Sequence, residues 1–166
     1  MKLLILLSGL FIFTNCVSLA PREERSISTI FETGVKKGDA YQRALIYLAK
    51  SLNNGNLAIQ VRDESQGRIV SLAQIKCNSY KRWKYPMNQV WVDFNIDFTA
   101  KDQKARIIFD DIVLGLFDPY GRKGAFQEPL DKEDTDSIDK ECLEPIRAEI
   151  IRSVKGQVTI APSQDF

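Results

Sequence analysis

Three cysteines, a set of aspartates spaced along neighbouring strands, and a short run alternating aromatics with cations are the groups in this 166-residue chain that could do chemistry. Asp93 and Asp97 fall on one face of an expected strand and could meet Asp110 or Asp111 of the next. Paired carboxylates are what glycoside hydrolysis requires. The same alternation also makes an ordinary acidic outer face with no catalysis. Asp131, Glu133, Asp134, Asp136 and Asp139 form an acidic run, but it lacks the central glycine and fixed alternate ligands of a helix-loop-helix calcium site. A solvated loop leading into a helix start fits it better. Tyr80, Lys81, Arg82, Trp83, Lys84 and Tyr85 are the candidate binding patch. Charge and ring stacking there suit acidic headgroups, a glycan or an anionic partner. The competing reading is a plain hairpin loop whose rings fold back on the sheet. There is no histidine. That excludes Ser-His and Cys-His catalytic pairs and histidine metal sites, and removes the usual base near neutral pH. With no phosphate loop, nucleophile elbow or zinc spacing, no catalytic residue, metal or cofactor is assigned.

Cys16 is the most informative cysteine because of what precedes it. Lys2 is followed by an apolar run from Leu3 to Phe13, then Thr14 and Asn15, the layout of a secretory signal with processing near residue 15. The run falls short of the roughly 20 residues a bilayer-spanning helix needs. Phe13 and Asn15 also match poorly with the small residues of an Ala-x-Ala cleavage site. Phe13-Thr14-Asn15-Cys16 resembles a relaxed lipobox of bacterial lipoproteins, in which the thiol receives a diacylglycerol and the preceding peptide bond is cut. The resemblance implies lipidation at Cys16, a signal peptide over residues 1–15 and a lipidated tether over 16–24. It places the protein in the cell envelope, periplasm-facing or surface-exposed, partnered with a membrane through its acyl chains. Ordinary secretion with an unmodified Cys16 is the alternative.

Cys77 and Cys142 remain. An exported compartment permits disulfides, and two thiols suffice for one. Cys77 stands at the end of an expected strand and Cys142 near a helix start. A bridge between sheet and helix, or two buried thiols acting as small hydrophobes, are both open.

These groups need a scaffold. Removing residues 1–15 from the 166 leaves 151, enough for one domain with a sizeable core. The 23 Lys and Arg less Lys2 stand at 22 against 22 acidic residues, a balance that argues against a nucleic-acid partner. Ile27, Ile30 and Phe31 suggest a first strand. Asp39 with Gln42 reads as a capping box, and Tyr41, Ala44, Leu45, Leu48 and Leu52 share a helical face that Asn53-Asn54-Gly55 ends. Leu57, Ile59 and Val61 alternate as a strand; Asp63–Gly67 is a turn; Arg68–Cys77 returns. A loop follows from Asn78 to Met87. Val90, Val92, Phe94, Ile96 and Phe98 alternate strictly, and a turn at Lys101–Lys104 leads into a strand from Ala105 to about Leu116. Pro119, Gly121, Gly124 and Pro129 predict a long loop from Phe117 to Ser137. A closing helix begins near Cys142–Pro145, buries Leu143, Ile146, Ile150 and Val154, and stops at Gly156. The domain spans 25–156, and 157–166 is a loose tail.

The order is α+β: strand, helix, four antiparallel strands, helix, with helices packed on one face of the sheet. It is similar to one repeat of the TATA-binding-protein fold. The chain resembles a bacterial family of exported domains of unknown function described as having that fold. The resemblance rests on Tyr41–Leu52, on Gly67-Arg68-Ile69-Val70, and on the Lys101-Asp102 turn leading to Lys104-Ala105-Arg106. Where that family's turn has glycine this chain has Gln103, and Ala105 stands where an aromatic often precedes the arginine. The resemblance implies a fold and an exported location, and no activity. The expected function is that of a membrane-anchored lipoprotein whose non-catalytic domain binds an envelope or extracellular protein. A small envelope hydrolase using the surface carboxylates and a structural envelope protein are the alternatives.

Overall fold

Strict alternation builds the centre of this fold. In β4 (Val90–Lys101) the side chains of Val92, Phe94, Ile96, Phe98 and Ala100 are buried, while Asp93, Asn95, Asp97 and Thr99 between them are half-exposed. Successive strand residues point to opposite faces, so one face of β4 is core and the other is open. The computed structural model describes residues 20–51, 57–77, 90–117, 123–128 and 131–157. Around β4 stand β1 (Ile27–Glu32), β2 (Leu57–Asp63), β3 (Arg68–Lys76), β5 (Lys104–Phe117) and β6 (Lys123–Glu128). The sheet order is β1-β5-β4-β3-β2, all antiparallel, with β6 also paired to β5.

One layer of helix closes the core. The helix α1 (Lys37–Ser51) sends Ala40, Tyr41, Ala44, Tyr47 and Leu48 into it. The helix α3 (Glu144–Val154) adds Ile150 and Val154, and the Tyr47 hydroxyl donates to Glu149 Oε2 at 2.6 Å across the two helices. Gly156, at φ +72°, ends α3 by taking the left-handed conformation that L-residues resist.

Four differences from the sequence reading have physical causes. First, α1 starts two residues before Asp39, so the Asp39–Gln42 capping box does not form. The Lys37 amide donates instead to Asp102 Oδ1 at 2.9 Å, so the β4–β5 turn caps the helix from 65 residues away. The same turn is stitched to the β1–α1 connection by Gln103 N–H to Val35 O (3.0 Å) and Thr33 N–H to Gln103 O (2.9 Å). Gln103 holds φ 64° there, the conformation for which glycine is the usual residue. Second, the stretch expected to be one long loop contains β6 and the helix α2 (Lys132–Ile138). The order is therefore strand, helix, five strands, then helices.

Third, the closing helix α3 starts at Glu144, within the expected Cys142–Pro145, but it runs on from α2 without a break. A π turn, Asp139–Leu143, joins α2 to α3, its Glu144 amide bonding back to Asp139 O. Pro145 explains the widening, since a proline ring clashes with the carbonyl four residues back in an ordinary helix. Fourth, residues 22–24, expected within the tether, form with Arg25 a 3₁₀ turn seated on the sheet. The Asp63–Gly67 turn forms as expected. Gly67 has φ 66°, and a β-carbon on it would lie 2.7 Å from the Ala100 carbonyl, so this crossing admits only glycine without movement.

Candidate functional site

β5 changes hands midway. Asn95 pairs with Asp110 but Asp93 pairs with Val113, so one extra residue is inserted on β5, and Asp111 takes φ 52°. This is a β-bulge, which bends and twists the strand that carries it. Before it β5 pairs with β1, and after it with β6. The bulge presents two adjacent carboxylates, and the 3₁₀ turn before β1 is fastened to both. Arg22 forks onto Asp110 through Nε (3.1 Å) and Nη2. Arg25 Nη1 donates to Asp111 Oδ1 at 2.6 Å and to Ile112 O at 3.2 Å, and its Nε donates to Ala20 O at 2.9 Å. The Arg25 side chain is buried beneath this crossing.

The clamp leaves a titration signature. Partial burial pushes the Asp110 carboxyl up, but hydrogen bonds from Arg22 and from the Asp111 amide, with the charges of Arg22 and Arg25, more than reverse it. Asp110 therefore sits below the usual carboxylate range, and the Arg22 guanidinium is held above its own ordinary value by Asp110. A carboxyl depressed by folding binds fewer protons folded than unfolded. Its stabilisation is present above the unfolded pKa, near 4, and is lost as pH falls through the folded value. Acid unfolding should accordingly be less steep in Asp110→Asn than in wild type below about pH 4. Parallel acid-unfolding curves would remove Asp110 from the account.

The strand carboxylates do not converge. Asp97 accepts both hydrogen bonds of Arg68 (3.1 and 2.7 Å), Asp93 accepts from Gln74, and Asp110 and Asp111 are held by the arginines of the clamp. Register sets Asp97 opposite Ile108 and Asp93 opposite Val113, so the expected carboxylate pair is absent because apolar residues face each acid. The acidic run is likewise engaged in structure. Asp131 Oδ1 caps α2 by accepting from the Asp134 amide (2.8 Å), Asp136 pairs with Lys132 (2.7 Å), and Asp139 pairs with Arg147. Among the described residues no group of three His, Cys, Asp or Glu is placed to hold a metal.

What remains is the open face. Ile30 on β1 is 70% exposed, with Val61 on β2 and Leu72 on β3 also standing out from the sheet. Ile30, Arg106, Thr99, Arg68 and Asp63 follow one another in register across five strands. Two shallow depressions flank this row, of about 260 and 430 Å³, and both are lined by Thr99, Lys101 and Arg106. Ile30 and Lys104 wall the first; Val61, Asp63, Arg68 and Asp97 wall the second. Arg68 is held by Asp97, and Asp63 by the turn it belongs to, where it accepts from Ser65 Oγ and the Gln66 amide. Lys101, Lys104 and Arg106 have no acidic group within ion-pair distance among the described residues, although Glu32 is the register neighbour of Lys104.

Cys77 and Cys142 are joined by a disulfide with Cα atoms 5.6 Å apart, tying the end of β3 to the π turn. Cys16 and the patch Tyr80–Tyr85 lie outside the described residues. No described helix is long and apolar enough to cross a membrane. Sequence reading missed the clamp and the cationic row. A signal for the clamp was present: Ile107 and Phe109 are buried at odd positions but Ile112 and Leu114 at even ones, so the apolar alternation slips by one at Asp110-Asp111. The cations of the row carry no such mark, since their meeting depends on strand register.

A family model described as a domain of unknown function (DUF4468) with TBP-like fold matches residues 28–114. A crystal structure of a TBP-like protein from Parabacteroides distasonis is similar over 78% of this chain and 92% of that one, at 13% identity and a TM-score of 0.62. One of a DUF4468 family protein from Bacteroides ovatus is similar over 87% and 94%, at 12% identity and a TM-score of 0.59. At such identities the likeness establishes the fold. No curated protein matches the chain.

Proposed function

Because this chain belongs to the DUF4468 family of domains with a TBP-like fold, we propose that it is a lipid-anchored envelope protein whose domain binds a partner and performs no catalysis. The observation that carries the reading is the distance between leader and fold. Residues 2–16 have the layout of an export signal ending in a cysteine, and the described body begins at Ala20, fastened at once by Arg22 and Arg25. Four residues from Cys16 to Ala20 reach at most about 14 Å. Acyl chains on Cys16 would therefore hold this domain close to a membrane surface, with two or more chains needed for stable attachment. The carboxylates that a hydrolase would need are each engaged by a base, an amide or a main-chain donor, whereas the cations and apolar groups of the open face are available for contact.

Metabolic labelling with a fatty-acid analogue tests the anchor. Label should enter the protein and vanish in Cys16→Ser, which should also leave the membrane fraction. A mature chain with an unmodified Cys16 thiol would end this reading.

A further inference from the structure

Resting on that reading and naming its binding surface, we propose that the row formed by Lys101, Lys104, Arg106 and Ile30 is the docking site for an acidic, extended peptide segment of a partner protein. Three features choose this occupant. The first is charge: the three cations have no ion-pair partner among the described residues, and the neighbouring carboxylates Asp97 and Asp63 are engaged by Arg68 and by Ser65 and the Gln66 amide, leaving Glu32 beside Lys104. Exposed cations that make no ion pair of their own attract a ligand that brings a counter-charge.

The second is shape and polarity. The two depressions share Thr99, Lys101 and Arg106 and so run on from one another across the sheet, from Ile30 on β1 to Val61 on β2. Small-molecule sites are concave and bury most of their ligand, which this shallow trough cannot do. It suits a chain laid across the strands, with acidic side chains at the cations and an apolar one against Ile30, which is 70% exposed.

The third is position. The N-terminal segment is fastened at Asp110 and Asp111, whereas Lys104 lies six residues back along β5. At 3.3–3.4 Å per residue that is about 20 Å toward the opposite end of the sheet. The cationic row is therefore set apart, along the sheet, from the point where the N-terminal segment is fastened.

The test uses the full chain in detergent and fluorescence anisotropy of a fluorescein-labelled peptide of glutamates interrupted by single isoleucines. Binding should weaken at least tenfold in Arg106→Glu and in Lys104→Glu, and severalfold in Ile30→Asp. Lys50→Glu, an exposed lysine on α1, should bind as wild type does. All four positions are exposed, and unchanged thermal melting confirms that each variant folds. Three results of the peptide titration overturn the proposal: no binding, binding indifferent to Arg106 and Lys104, or displacement of the peptide by inorganic phosphate at equal concentration, which marks a small-anion site. Phosphatidylglycerol vesicles that bind wild type and lose Arg106→Glu overturn it in favour of a membrane contact. Peptide binding needs no acyl group, so a failed fatty-acid label and a failed peptide titration indict separate claims.

Discussion

Replacing both Cys77 and Cys142 with alanine should lower the unfolding free energy by roughly 4 kcal/mol, from the chain entropy released when a loop of this length is opened. The bridge spans 65 residues, and that loop contains β4, β5, β6 and α2. Its ends are the residue just after β3 and a residue of the π turn, so the sheet and the second helical segment are held together even in the unfolded chain. Both cysteines are buried, which makes alanine a better replacement than serine, since a hydroxyl without a partner would add its own cost. Urea unfolding of the double variant should show a lower midpoint and a steeper dependence on denaturant, because an uncrosslinked unfolded chain exposes more surface. Reducing the wild type with a thiol should reproduce the shift. Midpoints that coincide with and without reductant would show that the bridge constrains nothing the fold does not already hold. An effect of this size also ties the stability of the domain to an oxidising compartment.

The parts of this fold legible in the sequence are those whose signal is local. β4 could be read because its apolar residues alternate without a break, and α1 because Tyr41, Ala44 and Leu48 recur at helical spacing, and all are buried. The turn at Asp63–Gly67 could be read because its glycine is forced. What escaped depends on partners far along the chain. Asp102 caps α1 from another turn, and nothing near Lys37 announces it. β6 contains Gly124 and precedes Pro129, so its residues look like a loop until β5 offers an edge after its bulge. For α2 the local signal existed and was outweighed. Asp131 three residues before Asp134, with Glu133 between, is an N-cap followed by an acidic first turn. The acidic run, read as a solvated loop leading into a helix start, supplies the cap and first turn of α2 itself. The candidate surface divides in the same way. The clamp had a trace in the slipped alternation of β5, while the cationic row exists only because antiparallel register sets Arg106 beside Ile30 and Thr99.

Arg147→Ala should cost about 3 kcal/mol, toward the lower end of what breaking a buried ion pair removes, since Glu144 is more than half exposed. Arg147 lies on α3, buried, with its guanidinium 5.4 Å from the centroid of the Phe109 ring in the core. It forks to Asp139 through Nη2 and to Glu144 through Nη1, while its Nε has no hydrogen-bond partner among the described residues. Burial pulls its pKa down, the direction expected when a cation leaves water. The π turn provoked by Pro145 is what brings Asp139, its first residue, and Glu144, just after it, to one guanidinium. Arginine therefore serves two roles here, covering Phe109 and pinning the α2–α3 junction. Arg147→Met separates them. Methionine keeps a long apolar stem over Phe109 and removes a charge whose Nε is unsatisfied, and apolar replacements of buried ion pairs are often close to neutral. Urea unfolding should show Arg147→Met recovering more than half of what Arg147→Ala loses, with amide exchange in α3 slowed in step. Asp139→Ala should fall nearer to Arg147→Ala, because it leaves the buried cation with only the more exposed of its two carboxylates. If methionine proves no better than alanine, the junction is held by its charges, and packing against Phe109 contributes little.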